Sequence, residues 1–304
     1  MMTSARRQLA EHVLDLAWSL WTELGVAGAR RHHQQVAITP EELLLLTSML
    51  ASIDPRLRDE SIDWCSRYHG HVSTARLRSL FVAAPREQKV ALSRYTATVN
   101  ALAATRWPTT DDALPWKVTP GGKSSAPDLA RPALLRLRLR ALFGTGARAD
   151  VLGLFLGSNE PDISVAEVAE IGYTKRNIAT VLDDLAMGGV FVRTRVRNQF
   201  RYRWAKRAAL EALVQPLPTK IPSWRPIVDL VLALYWFVER TESMPSVVRG
   251  VEAVNLLPSI NRQIVALHLE SPSLGQNPDK TWDRLARWAL KIVRAVASGS
   301  VDLR

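Results

Sequence analysis

Between Val192 and Trp204 the chain places five arginines, Arg193, Arg195, Arg197, Arg201 and Arg203, with no acidic residue among them. A guanidinium is planar, permanently charged and multidentate, so such a run suits phosphate oxygens and guanine edges better than lysines would. Upstream, Lys175 and Arg176 open a helical period that also carries Asn177 and Thr180, residue types that hydrogen-bond base edges and phosphates. Cations in a helix's first turn oppose its dipole, so helix stability does not account for them, whereas phosphate or base contact does. The arginine spacing of two within each extended run predicts that all five project to one face. Neutralising about six phosphates would then give log K against log salt a slope near −5.

Other chemistry finds less support. Cys65, His69 and His71 lie near Asp63, and thiolate, imidazole and carboxylate are all metal ligands, yet their spacing matches no zinc pattern. A buried helical cysteine followed by surface histidines is the expected reading, and the pair His32 and His33 fares no better as a metal site. No metal and no cofactor are expected. The lone cysteine cannot form an internal disulfide. The sequence holds no GxSxG, Walker loop, GxGxxG or HExxH, so hydrolytic, nucleotide-binding and zinc-protease chemistry have no motif and no enzyme is expected. Aromatic groups at Tyr235, Trp236 and Phe237, and at Trp282 and Trp288, fall in strongly apolar stretches and read as core rather than as a ligand pocket.

The 304 residues carry 40 Lys and Arg against 29 Asp and Glu, a net charge of +11, which favours a polyanionic partner. That excess is uneven: residues 131–207 hold 14 cations and 7 acids, a local +7. The amino-terminal stretch has its apolar run interrupted by Glu11, His12 and Asp15, and the most apolar segment, 226–238, is shorter than the roughly 20 residues that span a bilayer. A cytoplasmic protein with no membrane partner is expected.

The elements that carry the basic residues can be read in order. Val151, Leu152, Phe155 and Leu156 predict a first helix, ended by Gly157 and Pro161. Ser164 and Glu167 form a capping-box pattern that starts a short second helix, and Gly172 suits the left-handed residue that ends it. Thr174 is the expected N-cap of a third helix whose buried stripe is Ile178, Val181, Leu182 and Leu185. Gly188 and Gly189 close it, and 190–204 reads as strand, turn, strand, with the turn near Asn198 and Gln199.

Helix, short helix, Gly-containing turn, helix and basic hairpin is the order of a winged helix-turn-helix, and residues 147–206 resemble the winged-helix transcriptional regulators of bacteria and archaea. The resemblance implies a third helix in the major groove, with Tyr173, Thr174, Lys175, Arg176, Asn177 and Thr180 as recognition positions. It also implies a wing bearing Arg193, Arg195, Arg197, Arg201 and Arg203 beside the sugar-phosphate backbone.

Pro, Gly, Ser and Thr crowd residues 108–130, a linker signature, and Pro216, Pro218 and Pro222 mark another break. The expected fold is mainly α: an N-terminal helical domain (1–107), a linker (108–130), a central winged helix-turn-helix domain with a small β-hairpin wing (131–207) and a C-terminal helical domain (208–304). In the first domain Leu9, Val13, Leu16, Leu20 and Leu24 form a helical stripe. Thr39, Pro40, Glu41 and Glu42 start another helix, with acids favourable to its dipole. In the last, separate helices are expected over 247–253 and 260–269. Arg136, Arg138 and Arg140 alternate with leucines, as a strand with outward arginines or a helix at a dimer interface. The expected function is sequence-specific binding of double-stranded DNA by a homodimeric transcriptional regulator, the flanks serving a protein partner or small-molecule effector. The alternative is an adaptor of a toxin-antitoxin or phage-defence assembly that uses the same module for protein contacts.

Overall fold

A computed structural model describes residues 4–28, 31–169, 171–274 and 278–300. In chain order come α1 (Ala5–Leu24), α2 (Pro40–Leu50), α3 (Pro55–Tyr68), α4 (Thr74–Ala83), α5 (Arg86–Ala103), α6 (Leu135–Phe143) and α7 (Ala147–Gly157). There follow β1 (Ile163–Ser164), α8 (Val165–Ala169), α9 (Lys175–Met187), β2 (Phe191–Val196) and β3 (Gln199–Trp204), then α10 (Arg207–Leu213), α11 (Trp224–Thr241), α12 (Ser246–Ala266) and α13 (Pro278–Ala297). The protein is mainly helical, with one three-stranded antiparallel sheet in the order β1-β3-β2. Among the described residues no helix is long and apolar enough to cross a membrane.

Two compact units divide the chain, and their limits differ from the expected four segments. One contains residues 1–22, 28–33 and 223–304; the other contains 23–27 and 34–222. The basic middle block therefore shares a unit with α2–α5 instead of standing alone, and α6 supplies the reason. Its arginines are buried inside that unit, neither outward on a strand nor presented by an exposed helix. Arg140 donates to Glu41 of α2 at 2.8 Å and to Asp150 of α7 at 3.0 Å. Arg138 donates to the carbonyls of Leu129, Arg131, Val214 and Pro216 at 2.6–2.9 Å.

Residues 108–130 form no helix or strand, as a linker should, but they are fastened along their length. Thr96 Oγ1 donates to Pro108 O, Gly122 N to Asp63 Oδ1 and Arg67 Nη2 to Ser124 O, the last at 2.8 Å. The segment is a strap on its own unit, because its backbone groups meet side chains of α3 and α5.

In the other unit the expected stripe of α1 is buried from Leu9 to Leu20. There α12 runs unbroken through Pro258, joining the two helices expected over 247–253 and 260–269. Pro258 lacks an N–H and crowds the turn before it, at a cost of about 3 kcal/mol. Buried Ala253, Ile260 and Ile264, on both sides of it, give the packing that offsets this.

Candidate nucleic-acid interface

The site is assembled on the core of α7, α8, α9 and the sheet. Ile178, Val181, Leu182 and Leu185 of α9 are buried against Val151, Leu152, Phe155 and Leu156 of α7, as the periodicity predicts. The local start and stop signals do what their chemistry dictates. Ser164 and Glu167 form a reciprocal capping box, the Ser164 amide donating to Glu167 Oε2 at 2.6 Å and the Glu167 amide to Ser164 Oγ at 3.4 Å. Gly172 has φ +101°, a conformation that L side chains rarely adopt, and a Cβ there would lie 3.2 Å from Ser79 Oγ. Thr174 caps α9 by accepting from the Asn177 amide at 3.2 Å. Gly189, at φ +71°, closes α9 as the amides of Gly189 and Val190 bond back to Ala186 and Leu185.

Of the expected recognition positions, Thr174, Lys175, Arg176, Asn177 and Thr180 are exposed. The Thr174 hydroxyl is committed to its cap, and Thr180 Oγ1 donates to Arg176 O at 3.1 Å. Tyr173 belongs elsewhere. Its hydroxyl donates to Asp150 Oδ2 at 2.7 Å and lies 3.0 Å from Ser73 Oγ, so it points into the protein and not toward a groove. Burial and the Asp150 carboxylate together hold its phenol above the ordinary range.

The hairpin turns at Arg197 and Asn198, one residue earlier than expected, with Val196 opposite Gln199. Arg197, first in the two-residue loop, has φ +52°. The register overturns the single arginine face. Arg193 pairs with Tyr202 and Arg195 with Phe200, whereas Arg201 pairs with Thr194 and Arg203 with Val192. Cross-strand partners share a face, so Arg193 and Arg195 lie on one side of the ribbon and Arg201 and Arg203 on the other. The first side also holds Phe191 and Trp204, which anchor the ribbon: Phe191 stacks on Phe155 at 4.2 Å, and Trp204 lies 4.9 Å from Phe191.

Acids outside the arginine run, with no sequence-local signal to mark them, modify the positive surface. Asp183 of α9 accepts from Arg193 Nη1 at 2.8 Å and from the Tyr202 hydroxyl at 2.9 Å. Burial, with help from Asp183, pushes the Tyr202 phenol up to about 12. Arg201 is held by Asp162, with Glu167 at 3.7 Å. Hydrogen bonds to Asp183 and Asp162 raise the Arg193 and Arg201 pKa values above that of a free guanidinium. Arg195, Arg197 and Arg203 are exposed with no acidic partner among the described residues, and so are Lys175 and Arg176.

Three arginines and three carboxylates meet behind the site. Arg76, Arg136 and Arg140 are buried with Glu41, Glu42 and Asp150. Arg76 pairs with Glu42 and lies 3.5 Å from Glu41 and 3.8 Å from Asp150. Burial would raise the Asp150 pKa, but Arg140, Arg76 and Arg136 outweigh it and keep the carboxyl below its usual range. Glu41 and Glu42, in the first turn of α2 where acids favour the dipole, serve here as counter-ions to arginines far along the chain.

The Cys65 thiol is buried beside the Tyr95 hydroxyl, and desolvation raises its pKa. Among the described residues no cluster of His, Cys, Asp and Glu could hold a metal ion. Comparison of the chain with protein-family models, curated proteins and solved structures returns no match.

Proposed function

We propose that the protein binds double-stranded DNA sequence-specifically as a homodimeric transcriptional regulator. In this reading α7 to β3 form a winged helix-turn-helix, α9 enters the major groove and the β2–β3 ribbon lies against phosphates. The observation that carries the reading is the set of exposed cations without acidic partners among the described residues, at the start of α9 and along the ribbon: Lys175, Arg176, Arg195, Arg197 and Arg203. Lys175 and Arg176 remain unfavourable to the helix dipole, and a phosphate relieves that. Asn177 and Arg176 are the base-reading candidates, since amides and guanidinium groups make bidentate contacts to adenine and guanine edges. A dimer would read half-sites about 34 Å apart or a multiple of that distance.

The acids at Asp183 and Asp162 favour a second reading, in which the same module is a protein-binding adaptor, because they neutralise two of the five wing arginines. Fluorescence anisotropy with a random duplex across a salt series separates the two. The DNA reading expects binding at low salt that falls steeply as salt rises, and the adaptor reading expects none at any salt.

A further inference from the structure

Within the unit that contains α1 and α11–α13 lies a cleft of about 520 Å³ between α1 and the end of α13. Gln8 and His12 of α1 form one wall; Lys291 and Arg294 of α13, with Ser298 and Ser300 beyond it, form the other. Among the described residues no acid lines the cleft. Glu11, next to His12, is bonded to Arg7 at 3.1 Å.

Cations near a helix carboxyl end are ordinarily explained by the dipole and the unpaired carbonyls there. The dipole favours Arg294, but Lys291 lies outside the last turn, and the carbonyl part of that explanation fails for α13. Its last turn is closed by its own backbone, with the Ser300 amide bonding Ala295 O at 3.0 Å and the Gly299 amide bonding Val296 O at 3.1 Å around Gly299 at φ +69°. The Ser298 and Ser300 hydroxyls also reach Ala295 O. Lys291 and Arg294 thus have no need to satisfy these carbonyls, and both are exposed with no ion-pair partner among the described residues. Opposite them His12 is half-buried and held below its usual pKa, first by desolvation and then by Arg294.

We propose that this cleft binds a phosphate-bearing small molecule, its phosphate seated between Arg294, Lys291 and His12. Two permanent cations and an imidazole that can take up a proton match a dianion, where a carboxylate would need only one of them. Leu290 and Ala295 leave an apolar strip for the organic part of such a ligand. The inference is independent of DNA binding, because it rests on residues in the other unit.

The site can be tested on the full chain with pyrophosphate as the probe. The His12 ring proton, assigned by comparison with His12→Asn, is followed by NMR through a pH titration, with and without pyrophosphate at ionic strength matched with chloride. A bound anion stabilises the imidazolium, so the expected result is a His12 pKa raised by at least half a unit. An Arg294→Gln, Lys291→Gln double variant should weaken pyrophosphate binding at His12 at least tenfold. Both substitutions are on exposed positions, and an unchanged Tm checks that the variant is folded. A His12 titration that pyrophosphate leaves unmoved would overturn the proposal. A shift that persists undiminished in the folded double variant would overturn it equally, since the charge would then be acting from elsewhere.

Discussion

The Tyr173 hydroxyl donates to Asp150 Oδ2 at 2.7 Å from a position one residue before the cap of α9, so the start of the exposed helix is tied to the buried ionic cluster. Hydrogen bonds to charged groups contribute about 1.5–3 kcal/mol. Tyr173→Phe is expected to lower stability by about that amount in urea denaturation, with a smaller effect on duplex affinity measured well below the midpoint. A loss of affinity with no loss of stability would place the tyrosine on the DNA after all.

The same cluster sets the response to pH. Asp150 has its folded pKa depressed, so its contribution to stability is present above the ordinary carboxylate range and disappears as pH falls through the lower folded value. Tyr173 and Tyr202 have theirs raised, so their contributions are full below the ordinary phenol value near 10 and are lost as pH rises past it, for Tyr202 toward about 12. Asp150→Asn leaves Arg140 and Arg76 short of a counter-charge in the interior, and breaking a buried pair in this way costs about 3–5 kcal/mol. Denaturation midpoints across pH should show that loss at neutral pH and a shallower acid limb in the variant.

Much of this architecture could be read locally. The Ser164 and Glu167 box, the Thr174 cap and the turns at Gly172 and Gly189 depend on neighbours within a few residues, and each is where its chemistry predicts. Two features were illegible for different reasons. Alternation along β2 and along β3 gives each strand's own period but not their relative phase. A two-residue loop sets Val196 against Gln199 and thereby sends the odd-numbered arginines of the two strands to opposite faces. Arg136, Arg138 and Arg140 look solvent-bound because their partners Glu41 and Asp150, and the carbonyls of 214 and 216, are distant in sequence. Burying them also removes cations from the field of the middle block.

The split faces make the wing arginines unequal. A duplex lying along one side of the ribbon meets Arg195 or Arg203 but not both, so only one of Arg195→Ala and Arg203→Ala should flatten the salt slope, by about one unit. Equal effects would mean the ribbon enters a groove edge-on. Asp162→Asn should strengthen binding and steepen the slope if Arg201's side is the one used, because it releases that guanidinium from its carboxylate.

Arg197 occupies a left-handed conformation at φ +52°, which costs an L residue about 1–2 kcal/mol and a glycine almost nothing. A hairpin selected for stability alone would favour Gly at this position. Strain of this kind persists where a side chain has a use, and at the tip of the ribbon the use consistent with its charge is a phosphate contact. Arg197→Gly is therefore expected to raise the denaturation midpoint by an amount equivalent to about 1 kcal/mol while weakening duplex binding. Arg197→Asn, which tolerates the same backbone but carries no charge, should weaken binding as much with less gain in stability. If both variants bind duplex as tightly as the parent chain, the tip arginine is not at the interface and the strain has another origin.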